Sequence, residues 1–232
     1  MNYYPLFWNF TFMSISVKDI IDAQAHIGTL KSEAHPKTKK YWADVQKWLV
    51  IINPESVASQ IETAKAKIQK AKAEWKSVLV VCEKKMYADE LAKLGDALKI
   101  GYLNHKVPAW FLTNFATLQK RIESMNSMTR FIETEAYRTL TKKEQLVYKR
   151  KLDRVHNVYG WVRDLVTKPD LIVVVDAEMM SKFVNELEKQ QNIDSILIAG
   201  TNFSRRWKED GLIVSNIIGY KSINFILKNI LS

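Results

Sequence analysis

The chain has 232 residues, 47% of them apolar, and carries 35 Lys and Arg against 25 Asp and Glu, a formal charge of +10 with a pI near 9.5. That length holds one α/β domain with an insertion or two small domains, and the seven glycines and five prolines are too few for a loop-rich or disordered chain. One cysteine excludes an intramolecular disulfide and fits a reducing compartment, no apolar run reaches the roughly 18 residues of a membrane span, and the basic balance points to a polyanion, nucleic acid ahead of an anionic membrane surface.

Residues 1–15 are uncharged and aromatic, with Tyr3, Tyr4, Phe7, Trp8, Phe10 and Phe12. They lack the basic start of a signal peptide and the arginines of a transit peptide. Such an arm is expected to dock on a neighbouring chain or on its own body, with Tyr4, Phe7, Trp8 and Phe10 as protein-binding residues; membrane contact is the minor reading. Ser16-Val17-Lys18-Asp19 has the capping-box form and opens a short helix to about Ala25. A polar loop follows, with His35-Pro36-Lys37 and Lys39-Lys40. Trp48 to Ile52 is an apolar run, read as a buried strand. Asn53-Pro54-Glu55 combines a cap, a first-turn proline and a first-turn acid, and predicts a helix to about Ala73 with Val57, Ile61, Ala64 and Ile68 inward. Val78 to Cys82 is a second strand, in which Cys82 is a buried small hydrophobe rather than a nucleophile. Lys85 to Leu98 reads as a helix and Ile100 to Leu103 as a short strand.

From Phe115 the apolar residues alternate at three and four: Phe115, Leu118, Ile122, Met125, Thr129 and Ile132, then Tyr148, Leu152, Val155, Tyr159, Val162 and Val166. This is the spacing of a coiled-coil seam. Thr141 with Glu144 starts the second helix, so the stretch predicts two antiparallel helices joined by a polar bend. Their outer faces carry Lys120, Arg121, Arg130, Arg138, Lys142, Lys143, Lys149, Arg150, Lys151, Arg154 and Arg163. Beyond Pro169-Asp170, Leu171 to Val175 is the best strand in the chain, apolar on both faces as parallel strands are. Met179 to Gln190 reads as a helix, Ile193 to Ala199 and Leu212 to Val214 as strands, and Tyr220 to Leu231 as a closing helix. Strands alternating with helices imply a parallel three-layer α/β sandwich. The expected organisation is an arm over 1–15, the sandwich over 16–111 and 167–232, and the hairpin inserted over 112–166.

No phosphate-binding glycine loop follows any strand. His26, His35, His105 and His156 lack metal-ligand spacing, and no Ser or Cys sits in a nucleophile elbow. Asp176, at a strand's carboxyl end, stands where an α/β enzyme places an acid, but a carboxylate capping the next helix is the favoured reading. No catalytic residue, cofactor or metal is expected. Three stretches have the chemistry to grip RNA: Lys37, Lys39 and Lys40; His105 and Lys106 leading to Thr113 and Asn114; and Arg205, Arg206, Trp207 and Lys208. Cations hold phosphates without reading sequence, and an aromatic stacks on an unpaired base.

The order of these motifs resembles the small-subunit ribosomal protein two family of bacteria and organelles. His26-Ile27-Gly28-Thr29, His35-Pro36-Lys37, Val50 to Glu55, Leu112-Thr113-Asn114-Phe115, Leu140 to Glu144, Pro169 to Asp176 and Gly200-Thr201-Asn202 all stand in family order. Two departures are Val107-Pro108-Ala109-Trp110, where the family has Trp-Leu-Gly-Gly, and Gly219-Tyr220-Lys221-Ser222, where it has Gly-Asn-Asp-Asp. The aromatic arm has no family counterpart. The resemblance implies a flavodoxin-like (Rossmann-like) parallel sheet flanked by helices, with an inserted antiparallel coiled-coil hairpin. It also implies a non-catalytic constituent of the small ribosomal subunit, contacting small-subunit rRNA and neighbouring ribosomal proteins between head and body near the mRNA exit, with no membrane span and no homo-oligomer. The Gly-poor, Lys/Asn/Ile-rich composition fits a mitochondrial matrix protein of the mitoribosome, the bacterial cytoplasm being the alternative. Two rival functions stay open: a Rossmann-like enzyme acting on a nucleotide or phosphosugar, and a free RNA-binding adaptor.

Overall fold

The computed structural model describes residues 15–159, 167–190 and 192–232. The aromatic positions Tyr4, Phe7, Trp8 and Phe10 of the arm, and Val162, Arg163 and Val166 of the second helix's pattern, lie outside the described residues.

The capping box at Ser16 is present: its hydroxyl accepts from Lys18 N–H, and the Asp19 carboxylate accepts from Ser16 N–H at 3.3 Å. The helix it opens, α1 (Val17–Asp22), stops short of Ala25 because Gln24 turns left-handed (φ 58°) and Ala25 N–H folds back to the Ile20 carbonyl. Then come three strands, β1 (Ile27–Leu30), β2 (Trp42–Gln46) and β3 (Leu49–Ile52), in an antiparallel sheet of order β1-β3-β2. Only the last was expected, and as a buried strand beginning at Trp48. Instead Lys47 and Trp48 form the two-residue turn of the β2–β3 hairpin, at φ 47° and 68°, and Trp48 is 78% exposed. A turn with two positive φ angles normally announces itself as Asn-Gly or Asp-Gly, and here neither is present.

The helix α2 (Pro54–Ala73) begins as predicted, Asn53 Oδ1 accepting from Glu55 N–H at 3.0 Å, and buries Val57, Ile61, Ala64 and Ile68. It ends in a Schellman motif: Trp75 N–H donates to the Lys72 carbonyl and Lys76 N–H to that of Ala71. Trp75 takes the left-handed position usual for glycine (φ 56°).

The remaining elements are β4 (Val78–Val81), α3 (Ala88–Leu98), β5 (Gly101–Leu103), α4 (Phe115–Ile132), α5 (Glu135–Arg138), α6 (Lys142–Tyr159), β6 (Leu171–Val175), α7 (Ser181–Glu188), β7 (Asp194–Ala199), β8 (Leu212–Val214) and α8 (Tyr220–Leu231). The five strands from β4 onward form one parallel sheet of order β5-β4-β6-β7-β8. Counted within the sheet this is 2-1-3-4-5, the flavodoxin-like order, with its switch point between the first and third strands. β4 and β6 are buried along their whole length, as central parallel strands covered on both faces must be. On one face α3 meets α8: the Tyr87 hydroxyl is 3.1 Å from Asn224 Oδ1, the Tyr87 and Tyr220 rings lie 5.4 Å apart, and Lys228 pairs with Glu90. α2 packs beside α8 and over β8. Right-handed crossovers put α7 on the other face, where Phe183 meets Phe111 of the segment leading into α4. Burial pushes the Cys82 thiol up to about 11, as befits the small hydrophobe expected there.

The helices α4 and α6 pack against each other. Phe115, Leu118 and Ile122 join the core of the parallel sheet, while at the far end Phe131, Tyr137 and Tyr148 cluster with ring centroids 5.1 to 6.1 Å apart. Thr129, expected in the seam, is exposed, and its hydroxyl donates to the Met125 carbonyl in its own helix. The bend holds a helical turn of its own, α5, before the predicted capping box: Thr141 N–H and hydroxyl both donate to Glu144 Oε2, at 2.9 and 2.7 Å.

Candidate nucleic-acid interface

In a parallel sheet every strand ends on the same side, and the loops leaving those ends are where open α/β proteins hold ligands. All three basic stretches belong to this side or pack onto it. The segment 104–114 leaves β5, and the segment 200–211 leaves β7. The first loop, Pro36–Tyr41, is folded as a 3-10 turn started by the His35 ring, whose Nδ1 accepts from Lys37 N–H. It docks on the β7 loop: His35 N–H and the Thr38 hydroxyl both donate to the Thr201 carbonyl, at 2.9 and 2.8 Å. Lys37 Nζ donates to the Ser204 carbonyl at 2.7 Å, and Lys40 pairs with Glu209. That carboxylate raises the Lys40 pKa, and its own falls in return. Two basic stretches some 165 positions apart in sequence are thereby one surface.

Within that surface the predicted residues differ in what they offer. Lys37, Lys39, Lys40, Arg206 and Lys208 are exposed. Arg205 is half-buried and turned to α7, where it reaches Asn185 and lies 3.8 Å from Glu188. Trp207 is half-buried against the core, its indole nitrogen beside Gly211, so its face is used inside the protein.

The third stretch is set by two carboxylates that sequence reading passed over. Glu83 Oε1 accepts from Val107 N–H at 2.8 Å, and the buried Glu186 Oε1 accepts from Leu112 and Thr113 N–H at 2.8 and 2.6 Å. His105, Lys106, Thr113 and Asn114 are all exposed along this segment. Glu186 had a sequence signal in hindsight: it is an acid on the apolar face of α7, between Phe183 and Leu187, and buried carboxylates need donors.

At the switch point the crevice between the ends of β4 and β6 is spanned by an ion pair, Lys84 Nζ to Asp176 Oδ2 at 2.8 Å; the same ammonium donates to the Ile217 carbonyl. Asp176 Oδ1 accepts from Met179 N–H at 3.1 Å, and its backbone is left-handed (φ 66°). Asp176 thus bonds the turn ahead of α7 and does not cap the helix as expected: α7 starts at Ser181 rather than Met179, and Met180 at its cap makes no side-chain bond. Among the described residues no group of three or more His, Cys, Asp or Glu is placed to hold a metal, and no helix is long and apolar enough to cross a membrane.

Taken together, the fold and these loops define an α/β protein with a flavodoxin-like scaffold and a basic helical pair, whose strand-end loops are bonded to one another. The chain belongs to the ribosomal protein S2 family, whose sequence model matches residues 20–232, and whose members are structural rather than enzymatic components of the ribosome. It is 29% identical over 213 residues to small ribosomal subunit protein uS2 of Flavobacterium johnsoniae, covering 92% of this chain and 83% of that one. The uS2 of Cytophaga hutchinsonii is 30% identical over 216 residues, covering 93% and 84%. The longer uS2 of Amoebophilus asiaticus is 30% identical over 190 residues, which are 82% of this chain and 60% of that one.

Proposed function

We propose that the chain is built into a small ribosomal subunit, where it binds small-subunit rRNA and neighbouring ribosomal proteins between head and body, near the mRNA exit. The observation that carries the RNA contact is the joining of the Lys37–Lys40 turn to the Arg205–Lys208 segment through Thr201 and Ser204. Exposed cations of both then face one polyanion, a surface that gains affinity by releasing counterions from phosphates. His105, Lys106, Thr113 and Asn114 form a second contact at the base of α4. The pair α4 and α6, with ten exposed cations and five carboxylates over residues 115–159, forms a basic coiled coil. The arm, through Tyr4, Phe7, Trp8 and Phe10, binds a neighbouring protein. The domain organisation is the one expected from sequence: arm 1–15, sandwich 16–111 with 167–232, hairpin 112–166. One copy serves each particle. Composition favours a mitochondrial particle; the organisms of the relatives, which are bacteria, favour the bacterial cytoplasm.

Sedimentation of the tagged chain from whole-cell and mitochondrial lysates tests this. The expected result is co-migration with small-subunit rRNA in Mg²⁺, lost on chelation, and the lysate that contains the particle decides the compartment. Migration as a free protein of its own mass, 26.9 kDa, would sink the proposal. Reversing Lys39 and Arg206 to Glu should weaken incorporation. That pair is the better choice because reversing Arg205 would also disturb its contacts with α7.

A further inference from the structure

The proposed RNA surface needs an aromatic face if it is to hold an unpaired base, and Trp207 has spent its own on the core. Of the exposed indoles among the described residues, Trp48, Trp75 and Trp110, the last lies on a basic stretch of that surface, between Lys106 and Thr113. Trp110 is 65% exposed, and among the described residues no other large hydrophobic is exposed between Leu98 and Leu146. Its exposed neighbours along the chain include His105, Lys106, Thr113 and Asn114, whereas the centre of a protein interface is depleted of charge. Along the chain the segment is cationic: from Ala97 to Ile122 the sequence has no carboxylate and carries Lys99, His105, Lys106, Lys120 and Arg121, and the two carboxylates that reach it from elsewhere, Glu83 and Glu186, are engaged by its backbone N–H groups.

The backbone holds Trp110 out by force of its neighbours. Its φ is 59°, a conformation disfavoured for a bulky side chain. It is kept there because Phe111 and Leu112 are buried, Glu186 accepts from the Leu112 and Thr113 N–H groups, and the Trp110 carbonyl accepts from Asn114 N–H at 2.8 Å. Unfavourable backbone retained by an over-determined surrounding is a mark of functional positions, and an aromatic fixed in advance binds at lower entropic cost.

We infer that Trp110 is a stacking platform for an unpaired base of small-subunit rRNA, with Lys106 and its cationic neighbours on the flanking phosphates. This rests on the rRNA-binding reading above. Stacking tolerates any base identity, so the contact supplies affinity and local order rather than sequence recognition.

The test uses particles assembled with the full chain carrying wild-type Trp110, Trp110→Phe or Trp110→Ala, probed by acylation of rRNA 2′-hydroxyls. One or two nucleotides protected in the wild-type and Trp110→Phe particles should become several-fold more reactive in Trp110→Ala particles, at equal incorporation. Trp110→Gly, which relieves the left-handed backbone, replaces Trp110→Ala if the latter fails to fold. Unchanged acylation at equal incorporation overturns the inference and leaves the ribosomal reading standing. A loss of cross-linking to a neighbouring protein without any change in the rRNA also overturns it. Failure of the wild-type chain to enter the subunit defeats the ribosomal reading, and this inference with it.

Discussion

Thr29 and Thr201, 172 positions apart, share a hydroxyl–hydroxyl hydrogen bond of 2.7 Å, and Thr29 N–H donates to the same Thr201 oxygen at 2.8 Å. Both side chains are buried. The pair fastens the small antiparallel sheet to the end of β7, and the fit is close: a Cβ on Gly28 would lie 2.8 Å from Thr201 Cγ2 and 2.9 Å from the Val50 carbonyl. Thr201→Val keeps the shape and strands the Thr29 donors. A buried donor without a partner costs about 1–3 kcal/mol, so urea denaturation should show a loss of that size. An unchanged midpoint would mean the two sheets are held by apolar contact alone.

The Lys84–Asp176 pair is nearly out of solvent, with side chains 14% and 9% exposed. Removing one member leaves the other charge without its partner, which costs about 3 kcal/mol or more in such a setting. Lys84→Met should therefore destabilise more than the double change Lys84→Met with Asp176→Leu. A thermal-melt series in which the double variant is the least stable would contradict this.

Trp75 is 96% exposed at the left-handed position that ends α2. Replacing it by Gly removes the Cβ clash and gives up no packing, at some cost in unfolded-chain entropy. Trp75→Gly should raise stability by about 0.5–1 kcal/mol. Asn-Gly in place of Lys47-Trp48 should act the same way at the β2–β3 turn. Lower melting temperatures for both would show that these indoles make contacts worth more than the strain.

Glu144 has its pKa lowered, first by the Thr141 hydroxyl and then by the Thr141 N–H. Because folding lowers that value, the unfolded chain takes up the proton first as the pH falls. The contribution is complete at neutral pH and fades as the pH drops through the ordinary glutamate range and below it. The stability gap between wild type and Glu144→Ala should thus be wider at neutral pH than in acid. A gap independent of pH would place the role of Glu144 in helix propensity alone.

These left-handed positions also explain what was legible beforehand. The strands β4 to β8 and the helices α2, α4, α6 and α8 could be read from apolar period and from caps, because Ser16, Asn53 and Thr141 bond their own helix starts by local chemistry. The ends of α2 at Ala73 and of α3 at Leu98 were also legible; the left-handed turns were not. Seven non-glycine residues take positive φ among the described residues, including Gln24, Trp48, Trp75, Lys99 and Trp110, and no glycine does. Where most chains would write Gly or Asn-Gly, this one writes Trp or Lys, so the β2–β3 hairpin went unseen. The site was legible as charge and not as geometry. Lysines and arginines show in sequence, but that Lys37 meets Ser204, or that Glu186 holds the loop bearing Trp110, depends on contacts between distant segments.

One consequence concerns synthesis. The apolar face of α2, with Val57, Ile61, Ala64 and Ile68, is completed by β8 and α8, and Lys72 bonds the carbonyl of Leu231 at the end of α8. The first sheet likewise waits for Thr201. The amino-terminal third is therefore translated well before the surfaces that cover it. During that interval it is a sticky, cationic nascent chain, and its release into solution is a race between carboxyl-terminal closure and aggregation or chaperone capture.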